Sequence, residues 1–169
     1  MYKPRHDKEA MHGIGGYFLC TLAVFIIDQA TKKAIVSTMV LHGSTPLIPG
    51  FFHLTYIMNY GASFGMLQDK TFLFIGLTIA VVIAMCWAVF FLKRMTAAAR
   101  LLLGIITGGA LGNLADRLQY GAVVDFLDFQ GIWKYIFNVA DTAVICGGAM
   151  LAFLILLDGR MAGRRKPQH

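Results

Sequence analysis

Charged residues are scarce in this chain: Asp, Glu, Lys and Arg make up only 14% of its 169 residues, whereas 57% are hydrophobic. The mean hydropathy is correspondingly high, at +0.65. A soluble domain of this length has too little interior to bury so much apolar surface. The basic residues form no patch interleaved with aromatic residues, so the sequence gives no support to nucleic-acid binding. The composition therefore indicates an integral membrane protein.

Cysteine and histidine are few, and neither forms a recognisable pattern. The three cysteines, Cys20, Cys86 and Cys146, all fall in apolar runs and show no disulfide framework and no metal-ligand spacing. The five histidines form neither an HExxH motif nor a His-x-x-x-His pair. A metalloprotease is therefore not favoured, and we predict no metal and no other cofactor.

Four long apolar runs are present instead. The run 71–92 carries no charge and reaches the ~20 residues that a membrane-spanning helix requires, and each of the other three is bounded by an aspartate. We predict helices at about 13–36, 71–92, 97–118 and 137–157, within a single domain covering 1–169. The basic N-terminus resembles the start of a signal peptide, but Asp28, Lys32 and Lys33 stand where a cleavage site would lie, so we predict that the first helix is retained.

The distribution of basic residues predicts the orientation. With the N-terminus in the cytoplasm, the inner segments hold ten of the fifteen lysines and arginines, which predicts that both termini are cytoplasmic. In the first outer loop, FFHLTYIMN (51–59) is rich in β-branched and aromatic residues and predicts one or two short strands. The second outer segment, 119–136, is apolar and aromatic, and we expect it to lie as a loop in the membrane interface.

The third predicted helix carries Gly104, Gly108 and Gly112 along one face. Glycines at this spacing allow the backbone of a neighbouring helix to approach closely within a membrane. We expect this ridge to pack against another helix of the same chain, and an oligomer interface is the alternative.

Three aspartates fall at one depth. Asp28, Asp116 and Asp141 each lie roughly 22–26 Å from the inner end of their span, at ~1.5 Å per helical residue. Because successive helices alternate in direction, all three should meet in the outer layer of the membrane. Carboxylates within a membrane are costly and usually face a protein interior or a wet cavity. Their convergence predicts a site.

Sequence neighbours suggest partners for these carboxylates. Asp28 and Lys32 are four residues apart and can pair along one helix face. Asn113 and Arg117 are also four apart, and Asp116 adjoins Arg117, so these groups could simply neutralise one another and fix the helix ends. Asn138 and Asp141 match a helix N-cap followed by an acidic residue at the third helical position. Asp141 has no basic neighbour in the sequence.

Two carboxylates that share a poorly solvated site cannot easily both ionise, so one holds a proton and the pair supplies an acid and a base. Such a pair can activate water against a peptide carbonyl, which predicts aspartic peptidase chemistry. Asp141 is one candidate member, and spacing alone does not choose between Asp125 and Asp128 of VVDFLDF (123–129) for the other. A small proton-coupled transporter and a non-catalytic lipid-binding protein are the rival hypotheses.

One apparent catalytic motif is set aside. GASFG (61–65) matches G-x-S-x-G, the pattern of a serine nucleophile. That motif acts only on a strand–turn–helix of an α/β sheet, which this chain cannot build.

Five short blocks together resemble the bacterial lipoprotein signal peptidases (signal peptidase II). They are DQATK (28–32), NYGASF (59–64), GNLADR (112–117), VVDF (123–126) and FNVAD (137–141), in the order found in that family. Each block is weak alone, but five in order on a chain with four spans are specific. Ser63 departs from the alanine common in the family.

The resemblance implies particular roles and partners. It makes Asp125 and Asp141 the catalytic pair, and it leaves Asp128 without a catalytic role. The supporting residues are then Asp28, Lys32, Asn59, Gly61, Asn113, Arg117 and Asn138, with Asp116 beside them. The implied fold is an all-α membrane protein of four helices with a small extracytoplasmic β-cradle. The implied partners are diacylated prolipoprotein substrates, membrane lipid and globomycin-type inhibitors. The implied state is a monomer in the bacterial inner membrane with its site near the outer face.

Overall fold

The computed structural model describes residues 5–61, 71–92 and 95–164, and it describes the side chains of 13–61, 71–92 and 95–157. Four helices alternate with four short strands. In chain order they are α1 (Arg5–Thr38), β1 (Ser44–Ile48), β2 (Phe52–Asn59), α2 (Thr71–Phe91), α3 (Ala97–Tyr120), β3 (Val123–Phe129), β4 (Ile136–Phe137) and α4 (Val139–Arg164).

All four predicted spans are helices that are long and apolar enough to cross a membrane, over Gly13–Thr38, Thr71–Phe91, Ala97–Tyr120 and Val139–Leu157. Helix α1 begins before the predicted residue 13, and helix α4 continues beyond the predicted residue 157. The charged residues at these two ends do not interrupt the helices, because Lys, Arg and Glu are themselves good helix formers.

Helix α3 lies at the centre of the bundle and packs against the other three helices. Its glycine ridge faces α1. A Cβ atom added at Gly104 or Gly108 would meet the backbone carbonyl of Tyr17 or Thr21, too close for any side chain. On another face of α3, Gly109 lies equally close to the carbonyl of Ala140 in α4. The ridge therefore packs within the chain, as expected.

The end of α3 is defined by Gly121. Its φ of 70° is in the left-handed region that favours glycine, and its N–H donates to the carbonyl of Arg117 at 3.1 Å. This glycine turns the chain from helix α3 directly into strand β3.

The strands form one antiparallel sheet in the order β1-β2-β3-β4. Strand β2 confirms the prediction for FFHLTYIMN. The expectation that all of 119–136 is a loop was wrong for 123–129, which is strand β3 with its first four residues buried. Val124 and Phe126 of this strand pack with Ile35 of α1 and Tyr56 of β2. The run was mistaken for a loop because a strand covered on both faces shows no alternation of polar and apolar residues.

The sheet covers one end of the helix bundle, called here the sheet end. The C-termini of α1 and α3 and the N-termini of α2 and α4 lie at this end. At the opposite end, α2 turns into α3, and Arg100 is buried there. The Arg100 guanidinium donates to the backbone carbonyls of Val89 (3.4 Å) and Met95 (2.9 Å).

Candidate active site

A buried lysine organises the polar groups at the sheet end. The ammonium of Lys32 lies 2.9 Å from a carboxylate oxygen of Asp28, 2.9 Å from one of Asp116 and 2.9 Å from the side-chain oxygen of Asn113. An ammonium has three N–H donors, so these three acceptors satisfy it completely. Lys32 and both aspartates are almost fully buried. The predicted pair of Asp28 with Lys32 is therefore present.

Asp116 pairs differently from the expectation. Its partner is Lys32 of α1, and not its sequence neighbour Arg117. Adjacent residues on a helix point in directions about 100° apart, so Asp116 faces α1 while Arg117 faces elsewhere. The other carboxylate oxygen of Asp116 accepts a hydrogen bond from the side-chain amide of Gln29 at 3.0 Å.

The same two carboxylates bind the neighbouring backbone. Asp28 accepts a hydrogen bond from the N–H of Ala140, in the first turn of α4, at 2.8 Å. Asp116 accepts one from the N–H of Val124 in β3 at 3.0 Å. Asp28 and Asp116 therefore connect α1 and α3 to the two elements that carry Asp141 and Asp125. Their position is that of a scaffold around these residues.

Asp125 is fully buried on strand β3. One carboxylate oxygen accepts from the amide of Asn59 at 2.8 Å, and the other accepts from the amide of Asn138 at 2.7 Å. Burial and the nearby charge of Asp141 raise the pKa of Asp125 from 3.8 to about 7, although the two amide donors oppose that shift. Near neutral pH this carboxyl group therefore holds its proton readily.

Asp141 lies in the first turn of α4, where its own backbone N–H donates to the side-chain oxygen of Asn138 at 2.7 Å. This is the predicted N-cap, and Asn138 uses its amide nitrogen at the same time to bind Asp125. One Asp141 carboxylate oxygen accepts from the amide of Asn113 at 2.7 Å. Asn138 therefore caps helix α4 and also connects Asp141 to Asp125.

A cleft of about 210 Å³ opens beside Asp141. Asn113 and Arg117 of α3 line it, together with Thr78 of α2. The Arg117 guanidinium lies over the ring of Phe74, 5.3 Å from its centroid, and 3.5 Å from the carbonyl oxygen of Gly61. A cation held by an aromatic face and a carbonyl remains free to orient a substrate in the cleft.

Gly61 and Asn59 complete the group. The N–H of Gly61 donates to the side-chain oxygen of Asn59 at 3.1 Å, which directs the amide nitrogen of Asn59 toward Asp125. The structure therefore brings all ten predicted site residues to the sheet end: Asp28, Lys32, Asn59, Gly61, Asn113, Asp116, Arg117, Asp125, Asn138 and Asp141. Residues 62–65 of the GASFG motif lie outside the described residues.

Asp128 lies apart from this group. It accepts hydrogen bonds from Thr55 at 2.7 Å and from Gln130 at 3.3 Å, and it is opposite His53 in the sheet. Side chains of a strand alternate between its faces, so residues three apart, such as Asp125 and Asp128, point to opposite faces.

Gln29 is the residue that sequence reasoning missed. Its amide nitrogen lies within hydrogen-bonding distance of Asp28 (3.2 Å), Asp116 (3.0 Å) and the carbonyl of Gly112 (3.1 Å). Its place inside DQATK was the available signal. Within the described ranges, no group of three or more His, Cys, Asp or Glu side chains could hold a metal ion.

Two aspartates at one buried, hydrogen-bonded site, at one end of a four-helix membrane bundle, are the features of a membrane-embedded aspartic peptidase. A family model described as "Signal peptidase (SPase) II" matches residues 20–157. The chain belongs to the signal peptidase II family.

Individual relatives agree with this assignment. The chain is 48% identical over 137 residues to a lipoprotein signal peptidase of Desulfitobacterium hafniense, which covers 81% of this chain and 90% of that protein. It is 43% identical over 149 residues to that of Pelotomaculum thermopropionicum, covering 88% and 97% respectively. A solved structure described as a "bacterial membrane enzyme structure by the in meso method at 2.3 Å resolution" superimposes with a TM-score of 0.80. It shares 34% identity and covers 92% of this chain and 95% of its own.

Proposed function

We propose that this protein removes the signal peptide from diacylglyceryl-modified prolipoproteins, cutting before the lipidated cysteine, with Asp125 and Asp141 as the catalytic pair. The observation that carries the proposal is the placement of both aspartates around one asparagine. Asn138 donates to the carboxylate of Asp125 and accepts from the backbone of Asp141, each at 2.7 Å.

The mechanism uses the two carboxyl groups in complementary states. The ionised member takes a proton from a water molecule, whose oxygen attacks the scissile carbonyl carbon, while the protonated member gives its proton to the carbonyl oxygen. The tetrahedral intermediate then collapses, the C–N bond breaks, and the departing cysteine nitrogen receives a proton from the pair. The raised pKa of Asp125 suits it to hold the proton at the start, and the two protonation steps belong to the pair as a unit.

The supporting residues keep the pair aligned. Asn59, Asn113 and Asn138 donate neutral hydrogen bonds to the two carboxylates, so they orient them without adding charge. Arg117 faces the cleft and is placed to bind a carbonyl oxygen of the substrate near Asp141. Asp28, Lys32, Asp116 and Gly61 act through these residues as positioning groups.

The proposed orientation places the sheet end and the catalytic pair at the extracytoplasmic face, with both termini in the cytoplasm. It rests on the excess of basic residues in the segments at the opposite end. A diacylated substrate is anchored by its lipid in the outer leaflet, so its scissile bond would lie at this level. Membrane lipid and globomycin-type inhibitors are further proposed partners. A monomer is proposed because α1 already covers the glycine ridge of α3.

A proton-coupled transporter is not favoured. Among the side chains that the structure describes, every carboxylate lies at the sheet end, so they form no relay across the membrane. Membership of the signal peptidase II family likewise favours the peptidase.

The test compares three single substitutions in purified, lipid-reconstituted protein with a diacylated prolipoprotein. Asp125→Asn and Asp141→Asn should each abolish release of the signal peptide, by about 10³-fold or more, because either change removes the acid or the base. Asp128→Asn is the matched control on the same strand and should keep activity. Thermal unfolding of each variant verifies the fold.

Cleavage at the normal rate in either pair variant would refute the assignment, and an inactive Asp128→Asn would move the second carboxylate to that position. Cleavage by the unmodified protein should be unchanged by EDTA, since the proposed reaction uses no metal.

A further inference from the structure

Helices α2 and α4 both pack against α3, but their backbones scarcely approach each other. They therefore leave a groove between them, called here the α2/α4 groove, with α3 as its floor. A stripe made by the N-cap of α3 and five of its residues forms that floor, at intervals of three, four or seven residues: Thr96, Ala99, Leu103, Ala110, Asn113 and Arg117. This spacing keeps all six side chains on one side of the helix.

The two ends of the groove differ in chemistry. At the sheet end it opens into the polar cleft that contains Asp141 and Arg117. At the opposite end lies an apolar cavity of about 620 Å³, which is lined by Phe91 of α2 and by Leu151 and Ile155 of α4. The polar cleft and the apolar cavity thus lie on the same side of α3, and α2, α3 and α4 all contribute to the lining of each.

We propose that the α2/α4 groove binds the apolar helix of the signal peptide during cleavage. The inference rests on the proposed function. A peptide chain whose scissile bond lies at Asp141 must continue into the membrane on its N-terminal side. The apolar cavity lies in that direction, on the same side of α3 as the cleft. The occupant is therefore a single apolar helix lying along α3.

The length of the groove agrees with this occupant. Residues Asp141 and Ile155 mark its two ends on α4, and at ~1.5 Å per residue they are roughly 21 Å apart. The apolar segment of a signal peptide has about 7–15 residues and would span roughly 10–22 Å as a helix. The cavity lining contains no charged residue, as a purely apolar segment requires.

Gly148 offers a way to obstruct the groove without disturbing the bundle. It lies between Ile145 and Leu151 on the groove face of α4, and a Cβ atom added there would meet nothing within 4 Å. Gly76 of α2 has equally open surroundings, but it points away from the groove, about 160° around the helix from Thr78. A leucine at either position adds the same side chain, and only the one at 148 enters the groove.

The kinetic test uses two diacylated substrates, one with the full apolar segment and one with that segment truncated to the residues next to the lipobox. Gly148→Leu should raise KM for the full substrate about tenfold with kcat unchanged, because only binding is lost. It should leave the truncated substrate unaffected, and Gly76→Leu should change neither. Equal effects of Gly148→Leu on both substrates, or no effect on the full one, would overturn the proposal.

A second measurement does not depend on cleavage or on Gly148. Ile155 and Phe153 of α4 are equally accessible, with 62% and 63% of their surface exposed, but Phe153 faces away from the groove. A benzophenone-bearing residue at either position, in an Asp125→Asn background that stops turnover, would be illuminated with the full substrate bound.

We expect the benzophenone at position 155 to crosslink to the apolar segment of the substrate, and the one at position 153 not to do so. Crosslinks from 155 to lipid alone, or equal crosslinks from both positions, would refute the groove as the binding site. The two proposals fail separately, because a lack of cleavage by the unmodified protein counts against the proposed function while the crosslinks still report where the segment binds.

Discussion

Lys32→Met should destabilise the protein more than any other single change at the sheet end. The substitution keeps most of the side-chain volume but removes the ammonium that contacts Asp28, Asp116 and Asn113, each at 2.9 Å. Two carboxylates would then remain buried without a counter-charge. Removing one partner of a buried ion pair costs about 3–5 kcal/mol, and here one lysine serves two carboxylates, so we expect at least that loss.

The assay is thermal unfolding of the purified protein in detergent, with activity measured in parallel. A loss of this size lowers the Tm of a chain of this length by roughly 6–20 °C. Lys33→Met is the matched control, because Lys33 is the next residue on α1 and is exposed. Activity should fall as well, since Asn113 loses the contact that orients it toward Asp141.

Restoring charge balance provides a further check on the same reasoning. Adding Asp28→Asn and Asp116→Asn to Lys32→Met removes the uncompensated charges and should recover part of the lost stability. Unfolding of Lys32→Met at the same temperature as Lys33→Met would show that the ion-pair network contributes little, and it would refute the argument.

Three further predictions concern the proposed pair and its support. Activity should decline as the pH rises through about 7, the pKa of Asp125, because the pair then loses its shared proton; a pH–rate profile that stays flat to pH 9 would contradict this. Folding raises the pKa of Asp125, so its contribution to stability is greatest below pH 3.8 and is lost as the pH rises to about 7. Asp125→Asn should remove this pH dependence of the unfolding temperature. Gly112→Ala should cost about 1–3 kcal/mol and lower activity, since its Cβ would overlap the carboxylate of Asp28, whereas Gly15→Ala, in open surroundings, should be neutral in the same unfolding and cleavage assays.

The sequence was sufficient to predict the helices and the layer in which the site lies. Charge-free runs identify spans directly, and counting residues from their ends places Asp28, Asp116 and Asp141 at one depth. The structure brings these three aspartates together through Lys32 and Asn113. Depth follows from counting along the chain, so it needs no knowledge of how the helices are rotated.

Pairing across helices was not predictable in the same way. The partner of Asp116 depends on the rotation of α3 against α1, which is set by the contact of Gly104 and Gly108 with the α1 backbone. In the sequence, only the resemblance to signal peptidase II distinguished Asp125 from Asp128. A physical separation of the two needed the knowledge that VVDFLDF is a strand, since alternation then places them on opposite faces. That strand was hidden because both of its faces are covered.

The hydrogen bonds at the start of α4 also determine when the site can exist. Asp141 is carried by α4, which is synthesised after α1, α2 and α3. Asp125 needs Asn138, at the junction of strand β4 and α4, for one of its two amide donors. A nascent chain that has inserted only α1, α2 and α3 therefore lacks Asp141, and its Asp125 lacks the amide donor that Asn138 supplies. The proposed catalytic pair is therefore complete only after α4 has been synthesised and has docked onto Asp28, which delays proteolytic competence until that point.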